Sequence, residues 1–203
     1  MNPSYGVGAT GRWGTVSDCY IAEGKQLETD YDNAIYKTQA EVDEFQLRHN
    51  IKTRVFYRSD KENLRNLYER DPDTGILKNK RTGKVALGAA IAEYKGFNKV
   101  TCTIHMSPHK TYEGFVITLN HELIHVHHRT NYYDVWLREG ETVFNQLTEY
   151  CAYKWYTQLF YYSDVIPSEY IPSAAVLSRN LMHLSLPDNL IPIVSGRYGR
   201  VVW

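Results

Sequence analysis

The sequence predicts an α+β domain, a small mixed sheet with its helices segregated from the strands. Three observations predict it. Two helix starts carry reciprocal capping signals, and short runs of β-branched and aromatic residues stand among them. Two long stretches with apolar residues at helical spacing then fill the second half of the chain. In order, the elements read helix, strand, helix, strand, strand, helix, helix.

The first helix is predicted over residues 38–49. Thr38-Gln39-Ala40-Glu41 is a capping box, in which the Thr hydroxyl accepts from an orphan N–H while Glu41 reaches back to the cap. Val42, Phe45 and His49 follow at helical spacing. Residues 51–57 are β-branched and aromatic enough to predict a strand. Ser59-Asp60-Lys61-Glu62 repeats the capping pattern, and Leu64, Leu67 and Tyr68 behind it predict a second helix to about residue 70. Asp71-Pro72-Asp73-Thr74-Gly75 has the chemistry of a turn. Lys78, Lys80, Arg81 and Lys84 then form a basic run that reads as a solvated loop, with a site for an acidic partner as the alternative. Residues 85–94 and 100–106 predict an antiparallel hairpin around Lys95-Gly96-Phe97-Asn98. Helices are predicted over 112–129 and 141–162, and a helical turn or two over 174–184.

The bulk numbers exclude more than they assign. A chain of 203 residues suits one ordinary domain with extensions. Its 23 basic and 23 acidic residues cancel, so no whole-chain electrostatic argument favours nucleic acid or an anionic membrane. No apolar run is long enough to predict a membrane span. Cys19, Cys102 and Cys151 show no paired spacing, which fits a reducing compartment rather than a disulfide framework. The first residues lack the basic and apolar regions of a secretory signal, so the expected location at synthesis is cytoplasmic. The 17 Tyr suit either interfaces or the rim of a core.

Three regions are expected. Residues 1–35, punctuated by Gly6, Gly8, Gly11, Gly14 and Gly24, predict an extended N-terminal arm. Residues 36–166 form the domain. Residues 167–203, broken by Pro167, Pro172, Pro187 and Pro192, predict a C-terminal arm. Two such arms with so much Tyr suggest multi-subunit assembly contacts, as in a virion or other particle.

The chemistry concentrates at His121-Glu122-Leu123-Ile124-His125. Two His at i and i+4 of a helix lie ~40° apart in rotation and ~6 Å along the axis, so both rings can converge on one zinc ion. Glu122 flanks the same face, within reach of a water at the metal. Phe115, Leu119, Leu123 and Val126 supply a core-facing stripe. His128 lies ~10 Å along the axis from His121, too far to share an ion with it. Asn131 stands where a further His would complete a metzincin pattern. A third ligand is therefore sought on the following helix, among Glu139, Glu141 and Glu149. Glu149 is preferred, because Ala152 beside it allows close helix approach, and Glu141 is the alternative.

His121–His125 followed by Glu149 resembles a gluzincin metallopeptidase. Residues 115–125, with Glu149 and Ala152, are similar to the small ImmA/IrrE-type peptidases. The resemblance covers about 38–162 and is specific at the motif. Ile124 departs from it, standing where such families often carry Gly. The resemblance implies a zincin-like fold, a peptide or protein substrate, and an edge strand at 85–94 that pairs with it. It implies peptide hydrolysis with Glu122 as general base. Tyr153, one turn after Glu149, is the candidate oxyanion donor, with a packed ring as the bland reading. His105 and His109 precede the motif helix, where a capping or surface role is expected ahead of a place in the cleft. The competing reading keeps the fold and the metal in a structural or assembly protein.

Overall fold

The structure, a computed structural model, describes residues 35–96, 99–160, 166–180, 184–194 and 201–202. The expected N-terminal arm lies outside the described residues apart from Ile35.

Helix α1, Gln39–Arg48, starts on the anticipated capping box: the Thr38 hydroxyl accepts from Glu41 N–H, and the Glu41 carboxylate accepts from Thr38 N–H at 2.8 Å. Val42 and Phe45 turn inward. Its glutamines also finish a strand. Gln39 donates to the Val55 carbonyl at 3.0 Å, and Gln46 accepts from Val55 N–H at 3.1 Å, which satisfies the open side of β1, Arg54–Phe56.

The second predicted helix does not form. Residues 57–67 are turns, and the chain enters strand β2 at Tyr68–Arg70. Arg65 and Asn66 take φ of 51° and 59°, left-handed values that no α-helix tolerates. Glu62 does not close a capping box. Its carboxylate is drawn inward to the buried Arg70 guanidinium and to His105 Nδ1, 2.8 Å away. Burial alone raises the Glu62 pKa, but those two partners outweigh it and hold the carboxyl down at about 2. A tertiary ion pair thus overrides a local signal worth about 1 kcal/mol.

Strand β2 pairs with β3, Leu77–Asn79, and β3 with β4, Val85–Ala86, in an antiparallel sheet. The main sheet has the order β1-β6-β5, with β5 at Gly88–Tyr94 and β6 at Val100–Met106. Strand β6 runs parallel to β1 and antiparallel to β5, so the sheet is mixed and β5 is its edge. The strand predicted over 85–94 is therefore divided at Leu87. Ser107 fixes the division: its N–H donates to the Leu87 carbonyl, its hydroxyl to the Ala86 carbonyl, and its oxygen accepts from Leu77 N–H.

Helix α2, Tyr112–Asn131, is capped by Thr111 and buried on most sides from Phe115 to Val126. It packs on β5 and β6 and against α4, Glu141–Phe160. Ala152, fully buried, allows the close approach of the two helices. Between them the chain forms an additional short helix, α3, Tyr133–Glu139, ended by Gly140 at φ 80°. The sequence predicts no element between residues 129 and 141.

The described part of 167–203 folds back on the domain. A 3-10 turn at Ser168–Tyr170 packs on α4, and α5 spans Ala174–Asn180. Asn120 on α2 exchanges two 2.8 Å hydrogen bonds with the backbone of Ile191. Strands β7, Ile193–Val194, and β8, Val201–Val202, pair antiparallel. Among the described residues, no helix is long and apolar enough to cross a membrane.

Candidate metal centre

Helix α2 carries His121 and His125 one turn apart, with ring centroids 4.6 Å from each other and planes at 84°. The packing of α4 on α2 brings Glu149 up to both rings. His121 Nε2 lies 3.3 Å from Glu149 Oε2, and His125 Nε2 lies 3.4 Å from Glu149 Oε1. One ligand atom from each of the three residues lies within 4.8 Å of the others. Zinc holds His nitrogen and carboxylate oxygen at about 2.0–2.1 Å, and tetrahedral geometry then separates two ligands by about 3.3–3.4 Å. The donor types fit that ion, and both His–carboxylate separations match its spacing. Burial alone would raise the Glu149 pKa, but His125 and His121 outweigh it and hold the carboxyl far below its ordinary range.

The back of the site is hydrogen-bonded as closely as the front. Thr148 Oγ1 lies 2.9 Å from His125 Nδ1 and 2.8 Å from His128 Nδ1, and His128 Nε2 lies 3.0 Å from the Ser185 carbonyl. Burial pushes the His128 imidazole down to about 3, so it is neutral at pH 7 and carries one ring proton. A carbonyl only accepts, which puts that proton on Nε2. Nδ1 of His128 then accepts from the Thr148 hydroxyl, and the Thr148 oxygen accepts from His125 Nδ1–H. With a proton kept on Nδ1, Nε2 is the His125 nitrogen presented to a metal.

Glu122 is 6% exposed and faces a cleft of about 430 Å³. Thr118, His121 and Glu122 from α2 line it, with Glu149 and Tyr153 from α4. Gly88, where β5 begins, crosses close above Glu122. A Cβ there would stand 2.8 Å from Glu122 Cγ and 2.8 Å from Thr118 Cγ2. Tyr153 sets its ring edge-on to His121 at 5.3 Å and stacks on Tyr170 at 5.6 Å.

The other candidates fall elsewhere. Glu139 is bound by Arg179, Asn180 and Arg138, which hold its carboxyl down at about 2. Glu141 is exposed in the first turn of α4, about 12 Å along the axis from Glu149. His105 and His109 are neither cleft nor surface residues: His105 is buried against Glu62 and Thr103, and His109 against Thr118 and the Ser107 carbonyl. Tyr132 reaches Ser185, and Tyr133 stacks on Tyr94 at 5.4 Å.

Three residues of the site escaped sequence reasoning. Tyr68 lines the cleft from β2, its hydroxyl pKa pushed up by burial and by the carboxylates of Glu122 and Glu149. Thr148 and His128 form the support behind His125. His128 Nδ1 and Thr148 give no sign along the chain of meeting, although Thr148 stands next to Glu149.

No family model matches the chain, and the comparisons with curated proteins and with solved structures found no match. The site therefore rests on its own geometry.

Proposed function

We propose that this chain is a zinc-dependent metallopeptidase of zincin-like fold, with His121, His125 and Glu149 as ligands and Glu122 as general base. One observation carries the reading. Three ligand atoms converge within 4.8 Å of one another, with His121 and Glu149 on the wall of a cleft that also holds Glu122 and begins where the edge strand β5 starts at Gly88. The ligand arrangement also supports the resemblance to gluzincin peptidases.

A zinc ion in this triad supplies Lewis acidity toward a carbonyl and makes water a nucleophile near neutral pH. The chain's residues do the rest. An extended peptide pairs with the β5 edge near Gly88, which sets its scissile carbonyl over α2. Glu122 takes the proton of the attacking water and delivers it to the leaving amine. Of the three tyrosines that line the cleft, Tyr153, against His121, is the first candidate to donate to the developing oxyanion, and Tyr68, on the facing strand, is the second. Leu87 and the apolar stripe of α2 keep bulk water from below.

The test compares the wild type with Glu122→Gln. Both are expected to bind one zinc per chain by metal analysis. The wild type is expected to cut members of an unstructured peptide panel, and the variant to lose about 10²–10⁴ in rate. Zinc without cleavage by the wild type would make the centre structural. A wild type without zinc would remove the reading altogether.

A further inference from the structure

The β3–β4 hairpin carries a charge pattern that peptide hydrolysis does not itself require. Lys78, Lys80, Arg81 and Lys84 are four of the seven residues from 78 to 84, with no acid among them. Lys78 faces Asp71. Arg81 and Lys84 are exposed, and the cleft that holds Glu122 is lined by both. Among the described residues, neither enters an ion pair.

The backbone beneath them is fixed. Asn79 Oδ1 accepts from the N–H groups of Arg81 and Thr82, each at 3.0 Å. Asn79 N–H donates to the Lys84 carbonyl, and Gly83 N–H to the Asn79 carbonyl, both at 2.8 Å. Gly83 takes φ 71°, which closes the turn. Two cations thus project from a hydrogen-bonded hairpin whose second strand leads through Leu87 into the start of the edge strand β5 at Gly88. The wall formed by the 3-10 turn carries the opposite sign, at Glu169. A peptide lying along β5 meets cations where it crosses the hairpin and a carboxylate where it passes Glu169.

We infer that the cleft selects peptides with acidic side chains on the stretch that crosses the β3–β4 hairpin. The inference rests on the peptidase reading for the occupant being a peptide. Carboxylates of Glu122, Glu149 and Glu169 in the same cleft oppose a polyphosphate, which carries charge on every unit. Acidic side chains spaced along a strand meet the hairpin without meeting those carboxylates.

The experiment measures binding, so that it does not depend on turnover. Zinc-loaded Glu122→Gln protein is titrated with two matched pools of fluorescent random decapeptides. One pool has Asp or Glu at alternate positions, and the other has Asn or Gln there. The acidic pool is expected to bind about fivefold tighter at low ionic strength, the effect of two exposed ion pairs, and to lose that preference as salt rises. The double substitution R81Q/K84Q, made in the same background, is expected to abolish the preference while zinc content and urea midpoint stay unchanged. Equal binding of the two pools overturns the inference. So does a preference that survives R81Q/K84Q, or displacement of the acidic pool by an equal charge concentration of oligouridine. Selective binding with no cleavage by the wild type leaves the inference standing and defeats the peptidase reading instead.

Discussion

Thr148 Oγ1 stands 2.9 Å from Nδ1 of His125, and the same oxygen is 2.8 Å from His128. The hydroxyl oxygen keeps a proton on His125 Nδ1. Thr148→Val removes that acceptor, and with it the hydroxyl that donates to His128, at a similar side-chain volume. Zinc affinity is expected to fall about 10–100-fold in competition with a chromophoric chelator. The ¹⁵N spectrum of the metal-free variant is expected to show His125 divided between tautomers. Thr148→Ser should restore most of the affinity. An unchanged affinity in the Val variant would mean that the ring is oriented by packing alone.

Gly88 sets how closely the sheet edge approaches Glu122, the proposed base. A Cβ at this position collides with Glu122 and with Thr118. Thr118 has little freedom to give way, because its hydroxyl meets the Gly114 carbonyl at 3.0 Å and His109 Nε2 at 2.8 Å. Glu122 must move instead. On the proposed peptidase reading, Gly88→Ala is expected to lower kcat on the order of 10²-fold, the usual effect of a misplaced catalytic group, with zinc content unchanged from the wild type. Steady-state kinetics beside metal analysis separates this from a folding defect.

Asn120 ties the C-terminal segment to the motif helix. Its side chain is fully buried and pairs with both backbone groups of Ile191. Asn120→Ala leaves a buried N–H and a buried carbonyl without partners. The expected loss is about 2–4 kcal/mol in urea unfolding, against about half that if water enters the gap.

Acid should weaken the fold through buried imidazoles. Burial pushes His109 down to about 4, against a partial opposing effect from its bond to Ser107. The unfolded chain takes up this proton near pH 6.5, so its contribution is present above that pH and is lost as pH falls toward 4. Between pH 7 and pH 5 His109 accounts for about 2 kcal/mol of lost stability. His128, pushed down to about 3, adds to the same slope. Urea unfolding of His109→Gln across this range should show a shallower pH dependence than the wild type. Equal slopes would show that His109 titrates normally.

Much of what is local in this protein was legible along the chain. The capping box at Thr38 and Glu41 forms because both partners lie within one turn. His121 and His125 share a face because 3.6 residues per turn requires it. Residues 59–70 show the limit. They carry the same capping letters, but the Glu62 carboxylate gains more from Arg70 and His105, residues that only the folded chain brings to it. Strand β2, and with it the place of Tyr68 in the cleft, follows from that choice.

By itself, then, the sequence determined the α+β class, the motif helix and the paired imidazoles, all set by periodicity and short-range hydrogen bonding. Only the tertiary structure decided which carboxylate joins them, since Glu149 and Glu141 share one helix and what selects Glu149 is the turn of that helix that packs beside the two rings. It also decided the support behind His125 and the arrival of Arg81 and Lys84 at the cleft. Those relationships join residues far apart in the chain, and packing, not spacing, supplies the energy that holds them.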